Sequence, residues 1–136
     1  PLLKRCQYLT NGAQNIFFRG WVKDISDFLV ASDALISASV SEGLPNAVLE
    51  ALSWGLPVCL SDIPSHREIL GSHHLAGNLF ALNNSEELLS LLKSFRHSVA
   101  ASEAARNVVI KNFNAAKMSS EYQELYLTLV NARSGI

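Results

Sequence analysis

The sequence predicts an α/β fold in which a Rossmann-like parallel sheet is flanked by helices and followed by further C-terminal helices. Short apolar runs alternate with helix-like segments over the first part of the chain. These runs lack alternating polar residues, which is typical of parallel strands that helices cover on both faces. The chain has 136 residues and 49% hydrophobic content, enough to bury one core, so a single domain is expected.

Four apolar runs are predicted as strands, and the segments between them carry apolar residues at the three-four spacing of helices. The predicted strands are 15–20, 34–39, 56–61 and 77–82. The predicted helices of this part are 1–9, 24–32, 45–54 and 65–70.

From Ser85 onward the pattern predicts helices only, and Ser85 followed by Glu86 and Glu87 is a favourable helix start. The predicted C-terminal helices are 85–97, 101–113 and 115–132. We therefore expect one domain, 1–136, with a β/α part at about 1–84 and a helical part at about 85–136.

The composition excludes several classes of function. The formal net charge is -1, so no basic field attracts nucleic acid or an acidic membrane surface. Cys6 and Cys59 are far apart in sequence, so neither a disulfide framework nor a metal site is indicated. No apolar stretch approaches the roughly 20 residues that span a bilayer. We expect a cytoplasmic protein.

The segment 39–55 has the composition of a ligand-binding corner. It begins at the end of a predicted strand, and parallel sheets bind ligands at the carboxyl ends of their strands. Gly43 permits close approach of the backbone, and Pro45 suits the first position of a helix. The N–H groups of residues 46–48 are expected to be free, so an electron-rich group could dock there.

Helical spacing places Asn46, Glu50 and Ser53 on one polar stripe. The opposite arc is apolar, and its residues are Ala47, Val48, Ala51 and Leu52. A fully helical path would separate Glu42 from Glu50 by about 12 Å, which is the reach of a nucleotide sugar. Alternatively, Glu42 only complements the helix dipole and Glu50 is solvated surface. The pattern alone leaves both interpretations open.

The string SEGLPNAVLEALSWGLPVCLSD, residues 41–62, resembles the signature of the retaining glycosyltransferases of family 4, also called glycosyl transferases group 1. The E-x7-E motif of that family is met by Glu42 and Glu50. Other segments resemble the family in the same order, among them NIFFRGWVKDISDFLVASDALISAS and GNLFALNNSEELLSLL. The resemblance covers nearly the whole chain. It implies the larger part of the C-terminal, donor-binding half of a GT-B enzyme, which has two Rossmann-like halves.

The resemblance also implies roles for residues of the motif. Glu50 would hold the ribose hydroxyls of the nucleotide, and Glu42, the catalytic candidate, would lie beside the transferred sugar. The sugar hydroxyls and the distal phosphate would contact backbone N–H groups of the next four residues, Gly43, Leu44, Pro45 and Asn46. The nucleoside diphosphate sugar is a substrate, and neither a metal nor a cofactor is expected.

Other residues take their expected roles from the same resemblance. Gly20, Trp21 and Val22 match the turn that lies against the nucleobase, where Trp21 either stacks on the base or packs under the turn. Glu68 matches an acidic position of the family, and it either fixes its loop or touches the donor. His66 is expected to be a polar loop residue.

The resemblance further implies that the chain is N-terminally truncated, because the opening strand, its glycine turn and the basic residues of the donor half are not found. The chain would bind the donor but would not catalyse transfer alone. The full-length enzyme would transfer a sugar to a glycan or lipid-linked acceptor in surface polysaccharide biosynthesis, and peripheral membrane association is compatible with that role. An apolar stripe on the last helix predicts self-association, and it consists of Tyr122, Leu125, Tyr126 and Leu129.

Two rival functions fit the same sequence. One is a non-catalytic nucleotide-binding or interaction domain, in which the glutamates are ordinary surface. The other is a GT-B-type nucleotide-sugar epimerase, which converts its substrate without an acceptor. The E-x7-E spacing and the string EGLPN favour the transferase.

Overall fold

The computed structural model describes residues 2–134, with side chains up to residue 132, and confirms the predicted α/β fold class. The described part contains seven helices and three strands. The helices are α1 (Leu2–Leu9), α2 (Ser26–Ala31), α3 (Asn46–Ser53), α4 (Pro64–Leu70), α5 (Ser85–Ser94), α6 (Val99–Asn112) and α7 (Ala115–Ser134). The strands are β1 (Leu35–Ser37), β2 (Val58–Ser61) and β3 (Gly77–Phe80). Pro1, where the first predicted helix starts, lies outside the described residues.

The three strands form one parallel sheet in the order β1-β2-β3. All four residues of the central strand β2 are buried, as expected for a strand that is covered on both faces. Val58 pairs with Gly77 in the register of β2 and β3. A Cβ at Gly77 would collide with the Val58 carbonyl oxygen, so the close approach of these strands requires glycine there.

The core lies where α3 packs between the sheet and α6. Val48, Ala51 and Leu52 of α3 are buried against the sheet and α6, and Ala105 and Val108 of α6 have 0% exposure. Of the apolar arc predicted for α3, Val48, Ala51 and Leu52 are buried, whereas Ala47 is exposed. An eight-residue helix has a narrow buried arc, and position 47 falls at its edge.

A Schellman motif ends α3 and directs the chain into β2. The Leu56 N–H donates to the Ala51 carbonyl at 2.9 Å, and the Gly55 N–H donates to the Leu52 carbonyl at 2.9 Å. Gly55 has a φ of 82°, which is the left-handed conformation that this motif needs. Ala51 and Leu56 are both buried, which provides the hydrophobic contact that accompanies the motif.

The segment 15–20 is not a strand, contrary to the prediction. It pairs with none of the three strands of the sheet, and Ile16, Phe17 and Phe18 are 47%, 69% and 42% exposed. A strand needs a partner strand for its backbone hydrogen bonds, and within residues 2–134 the segment 15–20 pairs with no strand.

The first turn of α5 is capped one residue earlier than predicted. Asn84, not Ser85, occupies the N-cap, and its side-chain oxygen accepts a hydrogen bond from the Glu87 N–H at 3.1 Å. The Glu87 carboxylate in turn accepts from the Ala81 N–H at 2.8 Å, just beyond the end of β3. This reciprocal arrangement resembles a capping box in which the glutamate reaches further back along the chain.

The C-terminal helix α7 leaves its predicted apolar stripe on the surface. Tyr122, Leu125, Tyr126 and Leu129 are each 51% to 61% exposed, and the two tyrosine rings lie 6.2 Å apart. Self-association through this stripe stays a prediction. Among the described residues, no helix combines the length and the apolar character needed to cross a bilayer.

Candidate functional site

The candidate site lies at the carboxyl edge of the sheet. Because β1 and β2 run parallel, the loop that follows β1 and the residues that follow β2 meet at this edge. The β1 loop contains Ser39 and Glu42, and the β2 end contributes Ser61 and Asp62. Most of the polar side chains selected from the sequence are therefore on this edge or on the helix that leaves it.

The Glu42 side chain is exposed, and a neighbouring serine restrains it. The Ser39 hydroxyl donates to the Glu42 carboxylate at 2.7 Å, and the Ser37 hydroxyl lies 3.3 Å from the Ser39 hydroxyl. Gly43, the next residue, has open space where a side chain would project. The carboxylate is thus held near the loop while its second oxygen is left for another donor.

The start of α3 differs from the prediction in its hydrogen bonds. Pro45 is the N-cap residue instead of the first helical residue, and it has no N–H to donate. The Asn46 N–H donates to the Leu44 carbonyl at 2.9 Å, and the Val48 N–H donates to the Pro45 carbonyl at 3.0 Å. The prediction of three free amides at 46–48 is wrong for two of them, because those two N–H groups donate to backbone carbonyls within the turn at 44–48.

Within residues 43–48, three amides have no backbone acceptor in the part of the chain that the structure describes. They belong to Gly43, Leu44 and Ala47. All three residues are exposed, and the amide of Ala47 lies in the first turn of a helix, where the dipole favours an anion. Of the amides predicted to be free at 46–48, only that of Ala47 is free, and the amides of Gly43 and Leu44 are further donors in the preceding loop.

The polar stripe on α3 faces outward as predicted. Asn46, Glu50 and Ser53 are exposed, while Val48 and Leu52 of the same helix are buried. The Ser53 hydroxyl donates to the Glu50 carbonyl oxygen at 2.7 Å. That bond uses the backbone of residue 50, and the Glu50 side chain itself is exposed to solvent.

The turn at Gly20, Trp21 and Val22 is open to solvent. Gly20 has a φ of 66°, Val22 is half-buried, and Trp21 is 86% exposed. The expectation that Trp21 packs under the turn is wrong, because its indole has almost no cover. The side chain of the preceding residue, Arg19, lies over two aromatic rings. Its guanidinium carbon is 5.4 Å from the centre of the Phe17 ring and 5.9 Å from the centre of the Phe28 ring.

Asp62 and Arg67 form a bidentate ion pair at the same edge. The Arg67 Nη2 donates to Asp62 Oδ2 at 2.8 Å, and its Nε donates to the other carboxylate oxygen. These hydrogen bonds, and the charge of the guanidinium, hold the pKa of Asp62 below its ordinary value. The same bonds raise the pKa of Arg67. The pair ties the end of β2 to α4.

His66 is fully buried, so the prediction of a polar loop residue is wrong. It is the third residue of α4, and its Nδ1 lies 2.8 Å from the Ser61 carbonyl oxygen. The Ser61 hydroxyl donates to the Ser39 carbonyl oxygen at 2.5 Å. No sequence signal predicts this contact, because it depends on the start of α4 at Pro64, which brings the imidazole to the end of β2.

A cleft of about 860 Å³ lies beside the corner, between α4 and the junction of α6 and α7. Leu44 and Glu68 line this cleft together with apolar residues such as Phe113 and Tyr122, whereas Glu42 and Glu50 do not. The two glutamates therefore face solvent outside it. In the described part of the chain, no group of three histidine, cysteine, aspartate or glutamate residues is placed to hold a metal ion.

The fold and the corner together define an α/β domain with a Rossmann-like parallel sheet, which carries acidic side chains and helix-start amides at its carboxyl edge. Comparison with known proteins gives the family. The family model of glycosyl transferases group 1 matches residues 2–97, and the chain belongs to this family. The segments that suggested the resemblance lie largely within the matched region.

Several curated relatives are enzymes of bacterial polysaccharide assembly. The chain is 31% identical to the UDP-Gal:alpha-D-GlcNAc-diphosphoundecaprenol alpha-1,3-galactosyltransferase of Escherichia coli over 88% of its length. It is 28% identical to the putative teichuronic acid biosynthesis glycosyltransferase TuaC of Bacillus subtilis over 77% of its length. It is 24% identical to the O-antigen biosynthesis glycosyltransferase WclY of Escherichia coli over 85% of its length. The matches cover 32%, 28% and 32% of these relatives, so the chain spans about a third of their length.

Proposed function

We propose that the chain recognises the donor in the transfer of a sugar from a nucleoside diphosphate to a glycan or lipid-linked acceptor, with retained anomeric configuration. The observation that carries the proposal is the corner between β1 and α3. Glu42, restrained by Ser39, and Glu50, about one turn into α3, are both exposed near amides without a backbone acceptor. Membership of the glycosyl transferases group 1 family supports it.

The chemistry of the corner fits the parts of such a donor. Carboxylates accept strongly from vicinal hydroxyl pairs, so Glu50 would hold the ribose and Glu42 would lie beside the transferred sugar. The amides of Gly43, Leu44 and Ala47 would face the distal phosphate, where negative charge grows as the sugar leaves. Transfer of this kind places no metal between the chain and the diphosphate, and we expect activity to persist in a chelator.

The turn at 20–22 would lie against the nucleobase. The positive φ of Gly20 lets the backbone turn sharply, and the exposed Trp21 indole offers a face on which a base can stack. We expect Trp21→Ala to weaken binding of nucleotide and free nucleoside alike, because the contact is with the base and not with the phosphates.

The relatives suggest the setting. Two of their names refer to teichuronic acid and O-antigen biosynthesis, and the third names a galactosyltransferase that acts on alpha-D-GlcNAc-diphosphoundecaprenol. We propose that the full-length polypeptide containing residues 1–136 works in surface polysaccharide assembly at the cytoplasmic face of a membrane. Groups facing the acceptor are expected outside this chain, so the chain alone would bind the donor without transferring it.

Calorimetry with UDP and GDP tests donor recognition. We expect the full-length polypeptide to bind one of them, and Glu50→Gln to weaken that binding about 10- to 100-fold, as expected for losing a charge-assisted hydrogen bond. Glu103→Gln is the matched control, because Glu103 is an exposed glutamate of α6. Absence of binding to either nucleotide would contradict the donor site, and equal effects of the two variants would contradict the ribose role.

Kinetics and product analysis test the chemistry. We expect Glu42→Gln to lower kcat about 100-fold or more with a small change in KM, because its contact strengthens as charge develops in the transition state. Nuclear magnetic resonance of the product should show the anomeric configuration of the donor. An inverted product would refute retention, and an epimer formed from donor alone would identify an epimerase instead.

A further inference from the structure

His66 has a connection to Glu42 that the proposed function does not use. Starting from α4, the His66 Nδ1 lies 2.8 Å from the Ser61 carbonyl oxygen and 3.3 Å from the Ser61 hydroxyl. The Ser61 hydroxyl donates to the Ser39 carbonyl at 2.5 Å, and the Ser39 hydroxyl donates to the Glu42 carboxylate at 2.7 Å. Three short steps thus link a buried imidazole to an exposed carboxylate.

The chemistry of the groups decides which atom donates and which accepts in each hydrogen bond between His66 and Glu42. A carbonyl oxygen only accepts, so the His66 Nδ1 carries the proton that it shares with Ser61. The Ser61 hydroxyl has one proton, which it donates to the Ser39 carbonyl. Its oxygen is then oriented to accept from the imidazole. The imidazole N–H donates mainly to the Ser61 carbonyl oxygen at 2.8 Å and reaches the hydroxyl oxygen at 3.3 Å, so it holds the backbone and the side chain of Ser61 in place together.

The burial of His66 indicates that its side chain orients neighbouring groups and does more than fill space in the core. His66 and Ser61 both have 0% exposure, and they are the buried polar residues of the described core. The His66 Nε2 is buried without a hydrogen-bond partner among the described residues. A buried polar atom without a partner costs free energy, and an apolar side chain would avoid that cost. What an apolar residue cannot do is donate to Ser61.

We propose that His66 is a positioning residue for Glu42. By fixing Ser61, it holds the Ser39 backbone, and Ser39 then sets the direction of the Glu42 carboxylate. This inference rests on the proposed function, in which Glu42 lies beside the transferred sugar. His66 touches neither substrate nor reacting atoms in this account, and it acts through the loop alone.

Kinetics of the full-length polypeptide separate positioning from packing. We expect His66→Leu to lower kcat about 10- to 100-fold while the KM for the donor changes less than about twofold, because the donor's ribose and base contacts are untouched. His66→Asn should recover most of the loss, since its amide can replace the Nδ1–H.

Val108→Ala is the control for stability, because Val108 is equally buried and lies in α6, away from the corner. It should lower the melting temperature and leave kcat unchanged.

A double mutant tests the path. Ser39→Ala removes the bond to Glu42 but keeps the backbone carbonyl. If His66 acts through Ser39, the kcat of the double variant, Ser39→Ala with His66→Leu, should match that of the single Ser39→Ala variant. Independent, multiplicative losses would overturn the path. If His66→Leu does not fold, His66→Ala, which also lacks the Nδ1–H donor, replaces it in the same comparison.

A spectroscopic measurement keeps this inference distinguishable from the proposed function. In the unliganded protein, the ¹³C signals of the Ser39 carbonyl and the Glu42 carboxyl should shift in His66→Leu and stay in place in Val108→Ala. If these signals respond but no nucleotide binds, the proposed function fails and the restraint of the loop stands. If they do not respond, or if His66→Leu and Val108→Ala lower kcat equally, the positioning role is refuted.

Discussion

The guanidinium of Arg106 lies against Gly55, with its Nη2 donating to the Trp54 carbonyl oxygen at 3.1 Å. A Cβ at Gly55 would lie 2.7 Å from the Arg106 Cζ, and the φ of 82° already disfavours any other residue. We expect Gly55→Ala to lower the free energy of unfolding by more than about 1 kcal/mol. Urea denaturation measures this loss.

The control for that experiment is Gly43→Ala. Nothing lies within 4 Å of a Cβ at Gly43, and this glycine is not in the left-handed region, so its stability change should stay within about 0.5 kcal/mol. An equal loss in both variants would show that the contact with Arg106 and the φ of Gly55 are unimportant.

The N-cap of α5 gives a second prediction. Because the Asn84 side chain accepts from the Glu87 N–H, Asn84→Ala should cost about 1 kcal/mol of stability. Ser85→Ala, one residue further on, should be nearly neutral, since Ser85 is already inside the helix. Thermal denaturation of the two variants distinguishes the positions, and a larger loss from Ser85→Ala would refute the observed cap.

The ion pair between Asp62 and Arg67 predicts a dependence on pH. The Arg67 hydrogen bonds and charge lower the pKa of Asp62 in the folded state, whereas the unfolded value is about 3.9. A depressed carboxyl pKa contributes stability above the unfolded value, and this contribution is lost as the pH falls through the folded value. Denaturation of the protein and of Arg67→Gln should therefore differ at pH 7 and converge at the lowest pH.

Two further measurements test the ion pair between Asp62 and Arg67: the effect of ionic strength and the effect of a second charge variant. The pair is exposed on the arginine side, at 60%, so the difference should shrink as ionic strength rises. Lys111→Gln removes another exposed positive charge, from α6, and should not show the same loss between pH 7 and acid. A difference that persists below the folded pKa of Asp62 would mean that Arg67 stabilises by packing.

The two cysteines should react at very different rates. Cys6 is exposed and Cys59 is buried in β2, where burial also raises the pKa of its thiol and so reduces the reactive thiolate. We expect a thiol reagent to modify Cys6 alone in the native protein and both cysteines in denaturant. Cys6→Ser should leave the native protein unreactive, and rapid modification of that variant would show that β2 opens readily.

Local pattern was sufficient for those elements whose burial is set by their own residues. The buried strand β2 and the polar stripe through Glu50 on α3 were both predicted, the first from its short run of mostly apolar residues and the second from its helical period. The segment 15–20 has the same local pattern as a strand, but a strand exists only through its partners, and partners are not visible in a short apolar run. The amide of Asn46 was misjudged for a related reason, since a turn of five residues decides which carbonyl it meets.

The candidate site also contains some residues that the sequence alone could reveal and others that it could not. Glu42 and Glu50 could be selected because their interval matches a family motif, and the structure then adds the Ser39 contact that the motif does not contain. His66 could not be selected, because a histidine in a polar string is buried or exposed according to where the neighbouring helix begins. Its bond to Ser61 depends on the position of α4 against the sheet, which is a tertiary property.

The bond from the Ala81 N–H to the Glu87 carboxylate also limits how this region can open. The tip of β3 is its last residue, Phe80, together with Ala81 just beyond it. Fraying of the first turn of α5 would release this tip, and detachment of the tip would uncap the helix. The tip and the turn therefore behave as one cooperative unit in local unfolding, so amides on both sides of the connection should exchange with solvent at a common rate.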